Sequence, residues 1–108
     1  MTASANAAQL AYWNGPIGES WAREQEKRDR DHEHVTSAGL AWAAAQPGEH
    51  VLDVGCGSGT TTMQLARHVG LKGSVTGIDI SRPMLAVARH RVKQSGSFAT
   101  FIEADATD

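Results

Sequence analysis

The spacing of apolar residues along the chain changes at the segment Gln46-Pro47-Gly48. Before this segment, an Ala-rich stretch and a charged stretch from Gly18 to about Asp31 favour helices, separated by the break Asn14-Gly15-Pro16. Helical spacing then predicts a further helix with one apolar face, formed by Val35, Ala38, Trp42 and Ala45. The N-terminal part of the chain is therefore predicted to be helical.

Beyond Gly48, short β-branched runs alternate with runs of helical spacing. The predicted strands lie at 50–54, 74–79 and 98–103. One predicted helix spans 60–69, with Leu65, Ala66 and Val69 on one face, and a second lies between Ser81 and Gly96. Ser81 is a favourable N-cap for the second of these helices, and Pro83 suits its first turn. Strands that alternate with helices of this length favour parallel pairing through right-handed crossovers. The predicted fold class is α/β, with N-terminal helices ahead of a parallel sheet.

The first predicted strand is almost continuously apolar from Val51 to Val54. Such a run is typical of a strand that is covered on both faces at the centre of its sheet. Three strands in sequential order, however, leave this strand at an edge, where an apolar strand favours pairing with another chain. We therefore expect an incomplete sheet, either as the N-terminal part of a larger domain or with its open edge paired in a homodimer.

Composition is that of a small globular domain, with 108 residues, 41% hydrophobic residues and a net charge of −2. A slightly acidic chain lacks a general electrostatic attraction for nucleic acid or anionic membranes, and its longest apolar run, Ala41 to Ala45, is short for a membrane span. No secretory signal pattern is visible, and the only cysteine is Cys56. We expect a cytoplasmic protein with no nucleic-acid or membrane partner.

Cys56 could suggest a nucleophile, and the run His32-Glu33-His34 could suggest a metal site, but each lacks the neighbouring residues that such a site needs. Cys56 has no predictable His and acid around it, so an inert thiol is favoured over a nucleophile. The run His32-Glu33-His34 places adjacent side chains in different directions, and no second ligand pair is visible. No metal is expected, and the sequence leaves the catalytic residues unknown.

A glycine-rich segment supplies the main functional signal. Gly55, Gly57 and Gly59 follow a Gly-x-Gly-x-Gly spacing at a predicted strand-to-helix turn, where glycine allows a sharp turn and close approach of a ligand. The N-terminus of the next helix favours an anionic group, either a phosphate or a carboxylate. Asp79 ends the second predicted strand 20 residues after Gly59, an interval at which an acid can accept hydrogen bonds from a ribose diol.

The established phosphate fingerprints do not fit this segment. The dinucleotide pattern Gly-x-Gly-x-x-Gly requires glycine at the position of Thr60, and no Gly-Lys-Ser/Thr follows as a P-loop would require. A fragment of a nicotinamide-cofactor oxidoreductase is therefore the less favoured alternative.

Three ordered segments resemble class I S-adenosylmethionine-dependent methyltransferases. They are Asp53 to Gly59, Gly77 to Ser81 with Met84-Leu85 and Ala88-Arg89, and Phe101 to Ala106. The resemblance is strongest to small-molecule members such as the ubiquinone and menaquinone biosynthesis methyltransferases. It implies a Rossmann-like three-layer α/β/α fold with a parallel sheet, incomplete at about three strands. Residues 1–46 would form an N-terminal helical cap, and residues 47–108 a truncated cofactor-binding βαβαβ part.

The same resemblance implies S-adenosylmethionine as cofactor and assigns residues to its methionine end. Gly55, Gly57 and Gly59 would lie against the methionine part of the cofactor. Asp53 would help to hold the amino group, often through water. The implied reaction is methyl transfer to a small-molecule acceptor.

Four further residues would hold the adenosine end. Asp79 would accept hydrogen bonds from both ribose hydroxyls, and Ile80 would pack on the adenine. Asp105 would accept a hydrogen bond from the adenine amino group, with the backbone of Ala106 nearby.

The alternative function is that of a truncated non-catalytic domain that acts as a dimer or partner-binding module.

Overall fold

The computed structural model describes residues 6–107 of the chain. Four helices come first: α1 (Ala7–Asn14), α2 (Pro16–Arg23), α3 (Gln25–Asp31) and α4 (Glu33–Ala43). They are followed by β1 (His50–Val54), α5 (Thr60–Val69), β2 (Ser74–Asp79), α6 (Arg82–Ser95) and β3 (Thr100–Glu103). The predicted alternation of strands and helices is confirmed, although β3 begins later than predicted. The start of the Ala-rich stretch, residues 2–5, lies outside the described residues.

The three strands form one parallel sheet in the order β1-β2-β3. Val54 lies opposite Ile78, and Ile78 lies opposite Ile102 in the next strand. This register brings the carboxyl ends of all three strands to the same edge. The predicted α/β class is confirmed, and β1 occupies an edge of the sheet.

The hydrophobic core lies between one face of the sheet and helices α4, α5 and α6. Its members include Leu65, Ala66 and Val69, the residues predicted to share one face of α5, together with Val75 from β2. Leu85 of α6 is fully buried. Burial of one such aliphatic side chain contributes about 1.5–3 kcal/mol to the free energy of folding. These few residues therefore contribute much of the free energy that holds the helices against the sheet.

The apolar face predicted for α4 is wrong. Val35 and Trp42 are 73% and 91% exposed, whereas Leu40 is buried in the core. The helix ends at Ala43, and Ala44 adopts a left-handed conformation with φ of 50°, so Ala45 reaches the core from outside the helix. Spacing alone ranked the bulky Trp42 as a core residue, but the helix packs against the core through Leu40.

The opposite face of the sheet carries no helix among residues 6–107. Successive strand residues point to opposite faces, so Leu52, Val54 and Ile102 face away from the core. They are 58%, 58% and 50% exposed. The apolar β1 strand is thus covered on one face within the described chain, whereas its sequence indicated cover on both. None of the helices described is long and apolar enough to cross a membrane.

We expect Gly59→Ala to lower the free energy of unfolding by about 1–3 kcal/mol, because φ at Gly59 is +87° and side chains avoid this region. An added Cβ would also lie 3.0 Å from the Ala88 Cβ and 3.0 Å from the Phe101 ring. Urea denaturation measures the change.

Gly39→Ala is the control, because its added Cβ would meet nothing within 4 Å. Since Gly39 lies within α4, we expect this substitution to stabilise the protein by about 0.5–1 kcal/mol. Equal effects of the two substitutions would contradict this account.

Candidate functional site

The loop between β1 and α5 is held against the carboxyl end of β2 by backbone N–H groups. Gly55 and Cys56 donate to the Ile78 carbonyl oxygen at 2.8 and 3.1 Å. The Gly57 N–H donates to Oδ2 of Asp79 at 2.8 Å. Gly55 and Gly57 have φ values of 75° and 55°, in the region that favours glycine. The two strands and the loop therefore form one continuous hydrogen-bonded surface.

Asp79 is fixed by hydrogen bonds to both of its carboxylate oxygens. Besides the bond from Gly57, Oδ1 accepts from the Ser81 backbone N–H at 2.8 Å. The Ser81 hydroxyl accepts from the Met84 N–H at 3.4 Å as the N-cap of α6. Each carboxylate oxygen of Asp79 keeps a further acceptor site, so the side chain can still receive hydrogen bonds from a ligand's hydroxyl groups.

A cavity of about 470 Å³ lies over the carboxyl ends of the strands, a size suited to a small-molecule ligand. The predicted site residues that line it are Gly55, Gly57, Asp79, Ile80, Asp105 and Ala106. Helices α1 and α2 contribute Trp13 and Trp21 to its wall. The structure thus brings six of the eight predicted site residues together in one place.

Asp53 and Gly59, the other two predicted site residues, do not line this cavity. The carboxylate of Asp53 accepts a hydrogen bond from the Thr62 hydroxyl at 2.7 Å, on the side of the sheet that α5 covers. Gly59 is the N-cap of α5, where its lack of a side chain allows close contact with Ala88 and Phe101. Both residues therefore support the loop from behind.

Asp105 is held as a charged acceptor at the end of β3. Its Oδ1 accepts from the hydroxyl and backbone N–H of Thr107 at 2.7 and 2.9 Å, and its Oδ2 accepts from the Asn6 amide at 2.6 Å. These bonds, chiefly that from the Thr107 hydroxyl, lower the pKa of Asp105. Spacing in the sequence would not have selected this residue; only the resemblance did.

Burial controls the chemistry of the two titratable groups behind the loop. It raises the pKa of Asp53. The hydrogen bond from Thr62 opposes this increase, and the charge of Asp79 adds to it. Burial, with the charges of Asp79 and Asp53, raises the pKa of Cys56 to about 12, so its thiol stays protonated and unreactive at neutral pH. No group of His, Cys, Asp and Glu among residues 6–107 is arranged to hold a metal ion.

The N-terminal helices dock on the cavity through contacts that the sequence analysis missed. Asn14 donates to the Ile80 carbonyl at 2.7 Å and accepts from the Arg82 N–H at 2.8 Å. The Ser81 hydroxyl donates to the Trp13 carbonyl at 2.7 Å. In the sequence, Asn14 is part of a helix break; its partners lie more than 60 residues away and leave no local signal.

A second docking contact joins α3 to the glycine loop. Asp29 accepts from the Thr60 hydroxyl at 2.7 Å and lies 3.4 Å from the Arg91 guanidinium. Arg91 in turn donates to Thr60 Oγ1 at 2.8 Å and to the Ser58 carbonyl at 2.9 Å. The charged stretch that contains Asp29 was predicted to be a solvated helix face, but Asp29 itself contacts Thr60 and Arg91 beside the glycine loop.

Comparisons with known proteins agree with this geometry. Residues 51–108 match the family described as "Methyltransferase domain". The 2-phytyl-1,4-naphtoquinone methyltransferase of Synechococcus elongatus is 50% identical over 58 residues, which cover 54% of this chain and 25% of that protein. The demethylmenaquinone methyltransferase of Symbiobacterium thermophilum is 50% identical over 50 residues, 46% of this chain and 20% of that protein.

Solved structures show the same likeness. The crystal structure of magnesium protoporphyrin IX methyltransferase from Synechocystis, with bound SAH, superposes with a TM-score of 0.73 at 25% identity, covering 92% of this chain and 51% of that one.

The chain belongs to the methyltransferase domain family, which matches more than half of its residues. The predicted family and the Rossmann-like fold class are confirmed. The chain spans about a quarter of the length of the curated relatives named above.

We expect the contact between Asp29 and Arg91 to stabilise the docked α3, because both side chains are partly buried, at 31% and 21% exposure. A double-mutant cycle with Asp29→Ala and Arg91→Ala, measured by urea denaturation, should give a coupling energy of about 1 kcal/mol. The matched control is the pair Lys27 and Asp31, at 62% and 51% exposure, for which we expect about 0.3–0.5 kcal/mol. Coupling no larger than that of the control pair would contradict the docking role.

We expect Asp53→Asn to raise the free energy of unfolding at pH 7. Because the pKa of Asp53 is raised in the folded state, its ionisation opposes folding as the pH rises above its ordinary value of 3.8. The gain should therefore shrink as the pH falls towards 4, as urea denaturation at several pH values can measure. Asp31→Asn is the control of opposite sign, since Lys27 lowers the pKa of Asp31. A gain that is independent of pH would contradict this assignment.

Proposed function

We propose that this chain is the S-adenosylmethionine-binding portion of a methyltransferase that acts on a small-molecule acceptor. The observation that carries the proposal is the position of Asp79. Its carboxylate is fixed by the Gly57 and Ser81 N–H groups in the wall of the cavity and keeps acceptor sites for two hydroxyls. A ribose diol beside a bare glycine backbone is the ligand that this arrangement fits.

The residues present fit an adenosyl ligand at each point along the cavity. A Cβ added at Gly55 would project into open space, so the main chain is exposed to a ligand there. Ile80 offers an apolar surface to adenine, and Asp105 offers a charged acceptor to an exocyclic amino group. Solved neighbours with bound SAH or SAM support the same cofactor for this chain.

In the proposed complex, the chain's own residues bind and orient the ligand. Asp79 holds the ribose hydroxyls, and Ile80 with Asp105 and the Ala106 backbone holds the adenine. Gly55 and Gly57 lie against the methionine part. Asp53 does not line the cavity, so a contact with the amino group would require a bridging water.

The bound cofactor supplies an electrophilic methyl group on a sulfonium. Because this group is already reactive, the protein's contribution is to align it with the acceptor and to exclude water. Trp13 and Trp21 cover the cavity from the side of the helices and exclude water there. Two relatives are named as methyltransferases of 2-phytyl-1,4-naphtoquinone and of demethylmenaquinone, and these names support a small-molecule acceptor for this chain.

Two further assignments belong to the same proposal. The division into a helical cap, residues 1–46, and a cofactor-binding part, residues 47–108, is supported by the docking of Asn14 and Asp29 on the site. The second assignment is a cytoplasmic location, since a chain whose single cysteine, Cys56, is free suits a reducing compartment.

A second candidate is a homodimer that pairs through the edge of the sheet. The observation that favours it is the exposure of Leu52 on β1, the edge strand. Light scattering over a range of protein concentrations tests it, and Leu52→Lys is the variant that should disrupt pairing. A monomer at all concentrations would contradict this candidate and leave the cofactor proposal intact.

We expect Asp79→Ala to weaken S-adenosylmethionine binding by about 1.5–3 kcal/mol, the range for hydrogen bonds to a charged group. Isothermal titration calorimetry on the chain measures the change. Asp31→Ala, a substitution of an exposed carboxylate on α3, should leave the affinity unchanged. Thermal melting of each variant reports whether the fold is retained.

Unchanged affinity in Asp79→Ala would contradict the role of this residue. Titration with reduced nicotinamide dinucleotide, followed by energy transfer from the tryptophans, tests the alternative cofactor. Binding of that dinucleotide with higher affinity than S-adenosylmethionine would favour the oxidoreductase alternative, even though Thr60 occupies the glycine position of its fingerprint.

A further inference from the structure

The edge of the sheet opposite the cavity, where the strands begin, carries exposed apolar side chains. Helices α4, α5 and α6 all end at this edge, because each is followed by a short connection to the start of the next strand. Trp42 lies in the last turn of α4, Leu71 follows the end of α5, and Phe98 follows the end of α6. The strand-start edge, as we call it, consists of residues 42–50, 67–74 and 93–100.

Two of these apolar side chains are almost wholly in contact with solvent. Leu71 and Trp42 are 92% and 91% exposed, the highest values for large apolar residues among residues 6–107. Phe98 is also exposed. A single exposed apolar residue is ordinary on a protein surface, but three at one edge indicate a surface that contacts an apolar partner.

Backbone hydrogen bonds hold neighbouring parts of the strand-start edge together. The Gly48 N–H donates to the Val69 carbonyl at 2.7 Å, and the Ser74 N–H donates to the Glu49 carbonyl at 3.1 Å. Gly73 allows this close approach, since a Cβ there would overlap the Glu49 carbonyl oxygen. The connections that follow α4 and α5 are therefore fixed side by side.

Cations accompany the apolar side chains at this edge. Arg67, Lys72 and Lys93 lie in the last turn of α5, in the connection to β2 and in the last turn of α6. All three are exposed, and none of them forms an ion pair within residues 6–107. Glu49 is the one acidic residue of the strand-start edge, and its carboxylate accepts a hydrogen bond from the Gln46 N–H. The edge is therefore positively charged.

The net charge of the chain conceals this local excess of cations. Residues 60–99 contain six Lys and Arg residues and one acid, Asp79, whereas six of the twelve acids of the chain lie between residues 19 and 33. Salt screens exposed charges over about 10 Å, so a large partner responds to the charges of the edge that it meets. The expectation of no membrane partner, which used the net charge of −2, does not apply to this edge.

We propose that the strand-start edge binds the surface of a lipid bilayer that contains anionic lipids. Trp42, Leu71 and Phe98 enter the interfacial region, where aromatic and aliphatic side chains anchor proteins, and the cations interact with lipid headgroups. A nucleic acid would match the cations but leave the apolar side chains in water. The site is separate from the cofactor cavity, which lies at the other ends of the strands, about 15–20 Å away.

Cosedimentation of the chain with vesicles tests the proposal. One set of vesicles contains phosphatidylglycerol and phosphatidylcholine in equal parts, and the other contains phosphatidylcholine alone. We expect binding to the mixed vesicles that weakens as salt is added, and much weaker binding to the neutral ones. Leu71→Ser should lower the partition coefficient about tenfold. Leu10→Ser, an exposed leucine on α1, is the matched control and should leave it unchanged.

Two further variants examine the cations and the tryptophan separately. Lys72→Gln should lower the partition coefficient about fivefold, the effect of one cation near an anionic surface. Arg30→Gln, an exposed cation on α3, is its control and should change nothing. Mixed vesicles should shift the tryptophan fluorescence to shorter wavelength, and Trp42→Ser should abolish the shift. Because the substituted side chains are exposed, urea denaturation should show unchanged stability.

The outcomes are distinguishable from those of the cofactor experiments. Wild-type protein that stays in solution with the mixed vesicles would overturn this proposal and leave the cofactor proposal intact. Equal binding to neutral vesicles would overturn it, because the cations would then play no part. Equal losses in Leu71→Ser and Leu10→Ser would also overturn it. Binding to a single-stranded oligonucleotide without binding to vesicles would assign the edge to nucleic acid instead.

Discussion

The hydrogen bond from the Gly57 N–H to the Asp79 carboxylate joins the two halves of the candidate site. It requires a turn with φ above zero at Gly55 and Gly57, which places consecutive N–H groups against the end of β2. It also requires parallel pairing of β1 and β2, because only then do both strands end at the same edge. The cavity, the helix α5 and the cap are all positioned relative to this turn.

The cap adds a second constraint. Asn14 and Asp29 attach helices α1 and α3 to opposite sides of the loop region, one at the end of β2 and the other at the start of α5. Trp13 and Trp21, on α1 and α2, contribute to the wall of the cavity. Cover by the helices on one side lowers the access of water to the site, which strengthens the hydrogen bonds formed there.

Several groups near the site are unfavourable for folding alone. Asp53 is ionisable and partly buried, and buried polar atoms of Arg28 and Ser58 lack hydrogen-bond partners among residues 6–107. Leu52 and Val54 expose apolar surface on the other face of the sheet. Such features are expected where a protein's surface is shaped for a ligand or partner as well as for stability. Their location around the loop and the sheet edge agrees with the functions proposed for these regions.

Much of the fold was predictable because its signals are local. The alternation of strands and helices, the Ser81 cap and the buried face of α5 each depend on residues within a few positions of one another, and all are observed. The glycine spacing and Asp79 likewise indicated a nucleotide-like ligand, since the turn and the strand end are adjacent in a parallel sheet. Asp105 was found only through a resemblance to known proteins.

The amino-acid sequence by itself determined the α/β class, the order of the strands and the glycine loop at the wall of the cavity. Tertiary structure alone decided that Leu40 rather than Trp42 faces the core, that Asn14 and Asp29 dock the cap, and that Asp53 and Gly59 lie behind the loop. These outcomes depend on contacts between residues far apart in the chain, and such contacts have no periodicity to mark them in a single sequence. They arise only when the helices and the sheet pack together and each side chain's partners are fixed by the whole fold.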